Sequence, residues 1–422
     1  MKKLLTFLSS FGLITTSSLL VISCKNNNIN AARKEKDNKE KQIDSEHMPS
    51  DQPQEDKEEN KQNPNDKVDK VEIKIEKIKR QATKEEKKKL ETIFTNYENS
   101  FGTFHSKQDV IDQLLVYAKE QGIEDITLNK SINKNEKLKE DKKGEKINSI
   151  KLNLYATPMT FNPKKVLNNE VEEVYKDNQL IQIGYKLNSS INAIEMKTVN
   201  KKTKKVPRHL PLKINSLDEA FKNLESDKID NLNLWNTKNI KYLTKTFNDA
   251  KAFNQDINSW DVSNVIDMTE AFAGASKFNQ NLNSWNTSNV REMNGVFWEA
   301  EQFNGDISKW DIKNVKDMSN MFSGAINFNQ NLDQWNTSGV IDMLGTFSNA
   351  TSFNGKISNW DVSNVTDMER LFQDAKSFDQ DLSSWKALKV TQVANFRKGI
   401  ESKLKDNKLP QFKPEIRKKL NN

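Results

Sequence analysis

The sequence predicts an α/β protein in which a repeat solenoid, with one short strand and one short helix per 25-residue coil, follows a small α+β module. Two observations predict the solenoid: tryptophans recur at intervals of 25 residues, and inside each interval the apolar residues change from strand-like to helix-like spacing. The module is predicted by a third observation, the amphipathic and alternating apolar patterns that precede the repeats.

The chain of 422 residues opens with two lysines, an apolar stretch and small residues, the pattern of a secretory signal over residues 1–23. Ser23 directly precedes Cys24, the only cysteine of the sequence. This junction resembles a bacterial lipobox, which implies that Cys24 carries a lipid and anchors the protein at the outer face of the cell membrane. An uncleaved transmembrane anchor and an incidental buried cysteine are the alternatives.

Residues 24–70 contain almost no large apolar side chain, so we predict a disordered, charged tether. The formal net charge of the chain is +7, and its lysines are interspersed with acidic residues rather than gathered into a stripe with aromatic residues. We therefore expect no nucleic-acid partner.

Residues 71–205 are predicted to form the α+β module. Apolar residues at spacings of three and four predict helices between about 84 and 121, with Ser106 as the N-cap of the second. Alternation in "INSIKLNLYA" predicts a strand, and "QLIQIGYKL" followed by "INAIEMKTV" predicts a hairpin.

Residues 206–227 are predicted to cap the start of the repeats, residues 228–402 to form seven repeat units with a divergent last coil, and residues 403–422 to form a basic tail. Two aromatic columns, each made of residues 25 positions apart, are predicted to fill the core. The tryptophan column consists of Trp235, Trp260, Trp285, Trp310, Trp335, Trp360 and Trp385. The phenylalanine column consists of Phe272, Phe297, Phe322, Phe347 and Phe372.

Each unit combines two apolar patterns. The first, from Ile257 to Val265, has the spacing of the strand half of a leucine-rich repeat. The second, from Val265 to Ala275, has helical spacing. An Asn followed three residues later by an acid suggests a capping box at the start of each helix. The predicted caps are Asn264 with Asp267, Asn289 with Glu292, Asn314 with Asp317, and Asn364 with Asp367. A calcium site is the alternative for these acids, but no glycine-rich calcium loop is present, and we predict no metal and no cofactor.

The motif W-D-V-S-N-V-x-D-M-x-x-M-F-x-x-A-x-x-F-N, seen best in residues 310–329, resembles the repeat of mycoplasmal surface lipoproteins related to the BspA-like leucine-rich-repeat family. The similarity covers about residues 178–400 together with the lipobox. It implies exposure at the cell surface and suggests adhesion or host interaction, and it carries no catalytic residues.

Trp298 falls outside the tryptophan column and occupies a position where the other units have small or polar residues. We expect it to be at least partly exposed and consider it a candidate ligand contact. The alternative is that its ring fills a local groove on the adjacent coil near Ser323.

Taken together, these features predict a membrane-anchored surface lipoprotein that binds a host or extracellular protein or glycan and has no catalytic activity. None of the common catalytic motifs is present in the sequence. A solute-binding lipoprotein for nutrient import and, less favoured, a surface hydrolase are the alternatives.

Overall fold

The computed structural model describes residues 80–420. The predicted signal peptide, the lipid attachment at Cys24 and the tether over residues 24–70 therefore lie outside the described residues.

Two α-helices open the described part of the chain: α1 (Lys84–Tyr97) and α2 (Lys107–Lys119). Both start at a complete capping box, in which the N-cap hydroxyl accepts the backbone N–H of the residue three positions later and the carboxylate of that residue accepts the N-cap N–H. Thr83 caps α1 and Ser106 caps α2, so the predicted helices and the predicted cap at Ser106 are confirmed. The apolar sides of these helices pack in one core with the strands that follow.

The strands of the module are short and form three sheets. They are β1 (Phe101–Gly102), β2 (Ile126–Leu128), β3 (Ile150–Leu154), β4 (Thr157–Phe161), β5 (Val166–Leu167), β6 (Glu170–Val171), β7 (Val174–Lys176), β8 (Gln179–Gln182), β9 (Tyr185–Asn188) and β10 (Ala193–Met196). The sheet orders are β1-β5-β6-β9-β10, β2-β3-β4 and β7-β8. The predicted hairpin is confirmed as antiparallel β9–β10, whereas the residues just before it form β8, which pairs with β7.

The repeats contain neither the predicted strands nor the predicted helices. Between the short 3-10 helices Leu232–Leu234 and Asp406–Lys408, the backbone consists of turns and isolated single-residue bridges. The bridges are parallel, and most join residues 25 positions apart. They connect Ser216, Tyr242, Asp267, Glu292, Asp317, Asp342, Asp367 and Gln392 in that order. Successive units are therefore hydrogen-bonded side by side in register.

A spiral of β-turns replaces each predicted helix. Ala273 donates its N–H to the carbonyl of Glu270, three residues back, at 3.1 Å. Glu270 donates instead to Asn294 of the next coil at 2.8 Å, and Phe272 donates to Val296 at 2.9 Å. The spiral requires a left-handed backbone at Glu270, where φ is 52°, and this conformation cannot occur within an α-helix. Alternate N–H groups thus bond within the coil and between coils.

The aromatic columns lie in the core between the coils. The seven column tryptophans are 1–3% exposed, and the five column phenylalanines are 0–1% exposed. Neighbouring rings stack: Trp310 and Trp335 have centroids 6.5 Å apart and nearly parallel planes. Each column indole also donates its N–H to a carbonyl of the preceding coil, as from Trp310 to Leu282 at 2.9 Å. The tryptophans therefore fill the core and also join adjacent coils.

Residues 403–420 pack on the last coil rather than extending from it. Leu404, Leu409 and Phe412 are buried, and the Phe412 ring meets that of Phe396 edge-on at 5.5 Å. A short helix, α3 (Pro414–Lys419), follows. At the other end, a bridge from Glu195 of β10 to Ser216 brings the module against the first units. Both ends of the repeat core are thereby covered.

Candidate functional site

The residues predicted to cap helices instead connect neighbouring coils, so the helix-cap prediction is wrong. No α-helix begins in the repeats for these residues to cap. The Nδ2 of Asn314 donates to the carbonyl of Ser288, in the coil before it, at 2.7 Å. The same bond, with lengths of 2.6–2.8 Å, is made by Asn264, Asn289 and Asn364.

The acidic partners of these asparagines form the column of bridge residues. The Oδ1 of Asp317 accepts the N–H of Ser319 at 2.7 Å, an Asx turn that starts the spiral of turns. Asp267, Asp342 and Asp367 accept in the same way. Burial, together with the neighbouring carboxylates, raises the pKa of Glu292. Within residues 80–420, no three His, Cys, Asp or Glu side chains converge as metal ligands.

A second polar column, missed by the sequence analysis, consists of the asparagines that follow the second phenylalanine of each unit. The Oδ1 of each accepts the backbone N–H of the residue 25 positions later, at 2.8–3.0 Å. The accepting residues are Asn254, Asn279, Asn304, Asn329 and Asn354, and the N–H of Asp379 is the last donor. The regular spacing of the Phe-Asn pairs in the sequence was a visible signal for this row of hydrogen bonds, which keeps successive coils in register.

Two kinds of coil alternate along the repeats, and the difference lies in a further buried column, two residues after each column tryptophan. Thr287 and Thr337 alternate there with Ile312 and Val362, and all four are buried. Each threonine hydroxyl donates to a carbonyl of the next coil, as from Thr287 to Asp311 at 3.0 Å. The alternate coils present an aliphatic side chain at this position instead.

Trp298 differs from the seven column tryptophans in its environment. Its side chain is 43% exposed, which agrees with its position among small or polar residues, whereas the column tryptophans are 1–3% exposed. Its backbone is fixed by two hydrogen bonds. The N–H of Trp298 donates to the carbonyl of Gly295 in its own coil at 3.0 Å, and the carbonyl of Trp298 accepts the N–H of Gly274 in the preceding coil at 2.6 Å. A fixed backbone therefore presents a large aromatic ring to solvent.

Trp298 lies at one side of a groove of about 630 Å³ that crosses the repeats. The groove is lined by Glu270, Asn294, Trp298, Asn320, Ser323, Gly345, Ser348, Asn349, Arg370, Gln373, Asn395 and Lys398. Most of these residues belong to two columns of the turn spiral, the left-handed position and the position three residues after it. The left-handed backbone at Asn320 and Arg370, with φ of 54° at each, thus falls along the groove.

The chemistry of the groove changes along its length. Trp298 is its only large apolar lining residue. The middle is formed by short polar residues, among them the buried Ser323 and Ser348. Arg370 and Lys398 supply positive charge at the end nearest the C-terminus. Trp298 and Lys398 lie four coils apart, which corresponds to about 19 Å at the spacing of hydrogen-bonded strands.

Another hollow, of about 550 Å³, is lined by residues of the first repeats, including Asp256, Trp260 and Asp261. Its carboxylates already accept hydrogen bonds from their own turns, Asp256 from Asn258 and Asp261 from Ser263. Its tryptophan belongs to the buried column. We therefore consider the Trp298 groove the stronger candidate site.

The two histidines in the described part of the chain lie away from the groove. His105 is buried beside Tyr185 and Phe104, and burial lowers its pKa to about 4. The imidazole is therefore neutral at physiological pH and packs as a core group. His209 lies 3.0 Å from Glu120, between the module and the first repeats.

Two overlapping stretches of the chain, residues 215–325 and 305–409, match the family described as "Mycoplasma protein of unknown function, DUF285". The matched residues coincide with the repeats, and the similarity supports a mycoplasmal repeat protein. No curated protein and no solved structure matches the chain. None of the helices found between residues 80 and 420 has the length and apolar character needed to cross a bilayer.

Proposed function

We propose that this protein is a lipid-anchored surface protein whose repeats form a solenoid and bind an extracellular macromolecule of the host through the Trp298 groove. The observation that carries the proposal is the groove itself, in which an exposed aromatic ring and a row of polar side chains lie along several hydrogen-bonded coils. The matching family is described as being of unknown function, so this similarity supports a mycoplasmal repeat protein and leaves the ligand to the groove.

The hydrogen bonding of the coils supports recognition by a preorganised surface. Backbone bonds join each coil to the next, as from Asn320 to Leu344 at 2.7 Å and from Gly345 to Glu369 at 2.8 Å. Ligand binding does not have to order the backbone of the groove, because the backbone positions are already fixed, and the conformational entropy lost is that of the contacting side chains alone. A partner that spans several coils would therefore bind without a cost for backbone ordering.

The groove favours binding over catalysis. Its only acidic lining residue, Glu270, lies in the coil before that of Trp298, and the two cations lie at the opposite end. A general acid or base must lie within hydrogen-bond reach of the proton that it transfers, and glycoside hydrolysis commonly uses two carboxyl groups that flank one bond. The groove offers instead separate contacts along an extended ligand.

Anchoring at Cys24 is a separate part of the proposal. A membrane lipid at this residue would place the repeats outside the cell, at the end of the predicted tether. We expect Cys24→Ala to leave an unprocessed precursor that does not incorporate labelled palmitate. Normal processing and detergent-phase partitioning of the variant would contradict anchoring at this cysteine.

The recognition role is tested by Trp298→Ala in the full chain, with binding to host epithelial cells measured per folded molecule. Ile326→Ala is the matched control, because Ile326 is 42% exposed but does not line the groove. We expect Trp298→Ala to reduce binding at least about tenfold, as for a central aromatic contact, and Ile326→Ala to have little effect. Unchanged binding by folded Trp298→Ala would refute the role of the groove.

A further inference from the structure

We propose that the ligand of the groove is an acidic polysaccharide, with a sugar ring on Trp298 and carboxylate or sulfate groups at Arg370 and Lys398. This inference rests on the proposed function and adds the chemical class of the ligand. Three properties of the groove carry it: the single aromatic platform, the polar middle, and the cationic end.

The aromatic end suits a sugar ring. Trp298 makes no ring contact with another aromatic side chain of the described residues and is 43% exposed, so part of the indole is open to solvent. The negative face of an indole attracts the polarised C–H groups on one side of a pyranose ring. An isolated exposed tryptophan beside polar side chains meets this requirement.

The middle of the groove suits hydroxyl groups. Asn320, Asn349 and Gln373 provide amides that donate and accept hydrogen bonds, and Ser323 and Ser348 add hydroxyls. These side chains repeat from coil to coil. A chain of sugar units could therefore make similar hydrogen bonds at successive coils, over the roughly 19 Å between Trp298 and Lys398.

The cationic end favours an acidic ligand. Lys398 is exposed and makes no ion pair within residues 80–420. Arg370 has one carboxylate neighbour, Glu369, at 3.3 Å, and its side chain is 55% exposed. A guanidinium in such a position can bind a carboxylate or sulfate through two parallel hydrogen bonds.

Net charge reinforces this end of the groove. Residues 386–420 contain eleven Lys or Arg and three Asp or Glu, a net charge of +8, which exceeds the +7 of the whole chain. These residues, which include Lys398, form the last coil and the segment packed on it. The field they produce attracts polyanions toward the end of the groove.

A peptide is less suited to the groove. A peptide can extend a sheet only at a free backbone edge, but the N–H groups in the middle of the groove are already used, that of Asn320 by Leu344 of the next coil and that of Ser323 by Asn320 of its own coil. The core of a protein interface also requires apolar contacts, and Trp298 is the only large apolar residue here.

Nucleic acid is also less suited. Single-stranded nucleic acid binds where aromatic residues repeat beside cations that follow the phosphates. In this groove the residues between Trp298 and Arg370 include neither a second aromatic nor a cation. A nucleic acid would therefore find one stacking platform and distant charges.

The test is titration of the purified full chain with hyaluronan and heparin oligosaccharides, with chitotetraose as a neutral sugar and single-stranded DNA as another polyanion. The decisive variant is the double change Arg370→Gln and Lys398→Gln. The double change Lys418→Gln and Lys419→Gln is the matched control, because it removes the same charge from α3, outside the groove.

We expect one of the acidic oligosaccharides to bind, and the groove double variant to raise its Kd at least about tenfold. The control double variant should change the Kd by less than about threefold, the effect of general charge alone. Trp298→Ala should weaken binding as well, and Trp298→Phe should retain much of it.

Equal losses in the two double variants would overturn the inference, since binding would then follow net charge only. Equally tight binding of single-stranded DNA would overturn it in favour of nucleic acid. If no oligosaccharide binds but Trp298→Ala still abolishes cell binding, the ligand class is wrong and the proposed function stands. If Trp298→Ala leaves cell binding unchanged, the proposed function fails as well.

Discussion

The helices of the module and the coils of the repeats share one apolar spacing but have different backbones. In α2, apolar residues at spacings of three and four lie on one side of a helix that starts at a capping box. In the repeat at Val265–Ala275, the same spacing occurs in a spiral of turns. Apolar spacing therefore shows which residues face the core, but it does not determine the backbone that places them there.

The difference lies in where the backbone hydrogen bonds go. Beyond its first turn, helix α2 satisfies its N–H groups within itself, and it lacks left-handed residues. Each repeat coil sends alternate N–H groups to the next coil, which requires a left-handed residue every four positions, such as Glu270 and Gly274. Because each repeat lies beside another repeat, backbone hydrogen bonds between coils can replace those that a helix would form within itself.

The largest effect should come from the core columns, which exist only in the repeats. We expect Trp310→Ala or Phe322→Ala to lower the free energy of unfolding by about 3–5 kcal/mol, because each leaves a large cavity. Chemical denaturation of the full chain measures this, with Ile326→Ala as the exposed control. A loss below about 1 kcal/mol at either column would mean that its rings contribute little to the core.

A smaller loss of stability should distinguish a residue that caps a helix from one that forms a hydrogen bond between coils. Ser106 caps α2, whereas Asn314 reaches the carbonyl of Ser288 in the preceding coil. Replacement of either by Ala should cost about 0.5–2 kcal/mol. Exchanging the two residue types is diagnostic, because asparagine and serine are equally good caps but serine is too short to reach the carbonyl of the preceding coil.

We therefore expect Ser106→Asn to retain the stability of the wild-type protein and Asn314→Ser to lose as much as Asn314→Ala. Thermal and chemical unfolding of the four variants provide the measurement. Full stability of Asn314→Ser would indicate a cap at this position and would restore the helix predicted from the sequence.

The smallest predicted effects are changes of stability with pH, which have opposite signs for Asp218 and Glu86. Burial, aided by Glu195 and Asp267, raises the pKa of Asp218 to about 6, and a hydrogen bond from Arg80 lowers that of Glu86 to about 2. Folded Asp218 holds its proton more tightly than the unfolded chain does, so its contribution to stability rises as the pH falls from about 6 to about 4. The contribution of Glu86 is present above about pH 4.5 and is lost as the pH falls toward 2.

Asp218→Asn should accordingly raise the free energy of unfolding at pH 7 by about 1 kcal/mol, after solvent screening of a partly exposed group, and should leave it unchanged near pH 4. Glu86→Gln in α1 is the comparison and should lower stability at pH 7. Denaturation at both pH values checks the signs, and a destabilised Asp218→Asn at pH 7 would contradict the assignment.

Much of the fold could be predicted from local signals. The cap at Ser106, the alternating strand residues and the tryptophan interval each depend on a few nearby residues or on an exact repeat, and the structure contains all three. The helix in each coil could not be excluded by spacing alone. The signal against it was the recurrence of Gly, Asn and Asp at left-handed positions, such as Gly274, Asn320 and Asp374.

The candidate site was only partly predictable. Trp298 was identified because it interrupts a column of small and polar residues. Arg370 and Lys398 were not identified, because only the register of the stacked coils places them in the same groove as Trp298. Lysines are interspersed with acidic residues over most of the chain, but residues 386–420 carry a net charge of +8, a local excess that the net charge of the whole chain does not reveal.

The comparison between helix and coil is tested most directly by backbone chemical shifts of the full chain, measured by NMR at Glu270, Asn320 and Arg370. The structure predicts left-handed shifts at these three residues, with φ between 52° and 54°, and uninterrupted helical shifts across α1 and α2. Uninterrupted helical shifts across Val265–Ala275 would contradict the turn spiral, and with it the groove that its left-handed residues line.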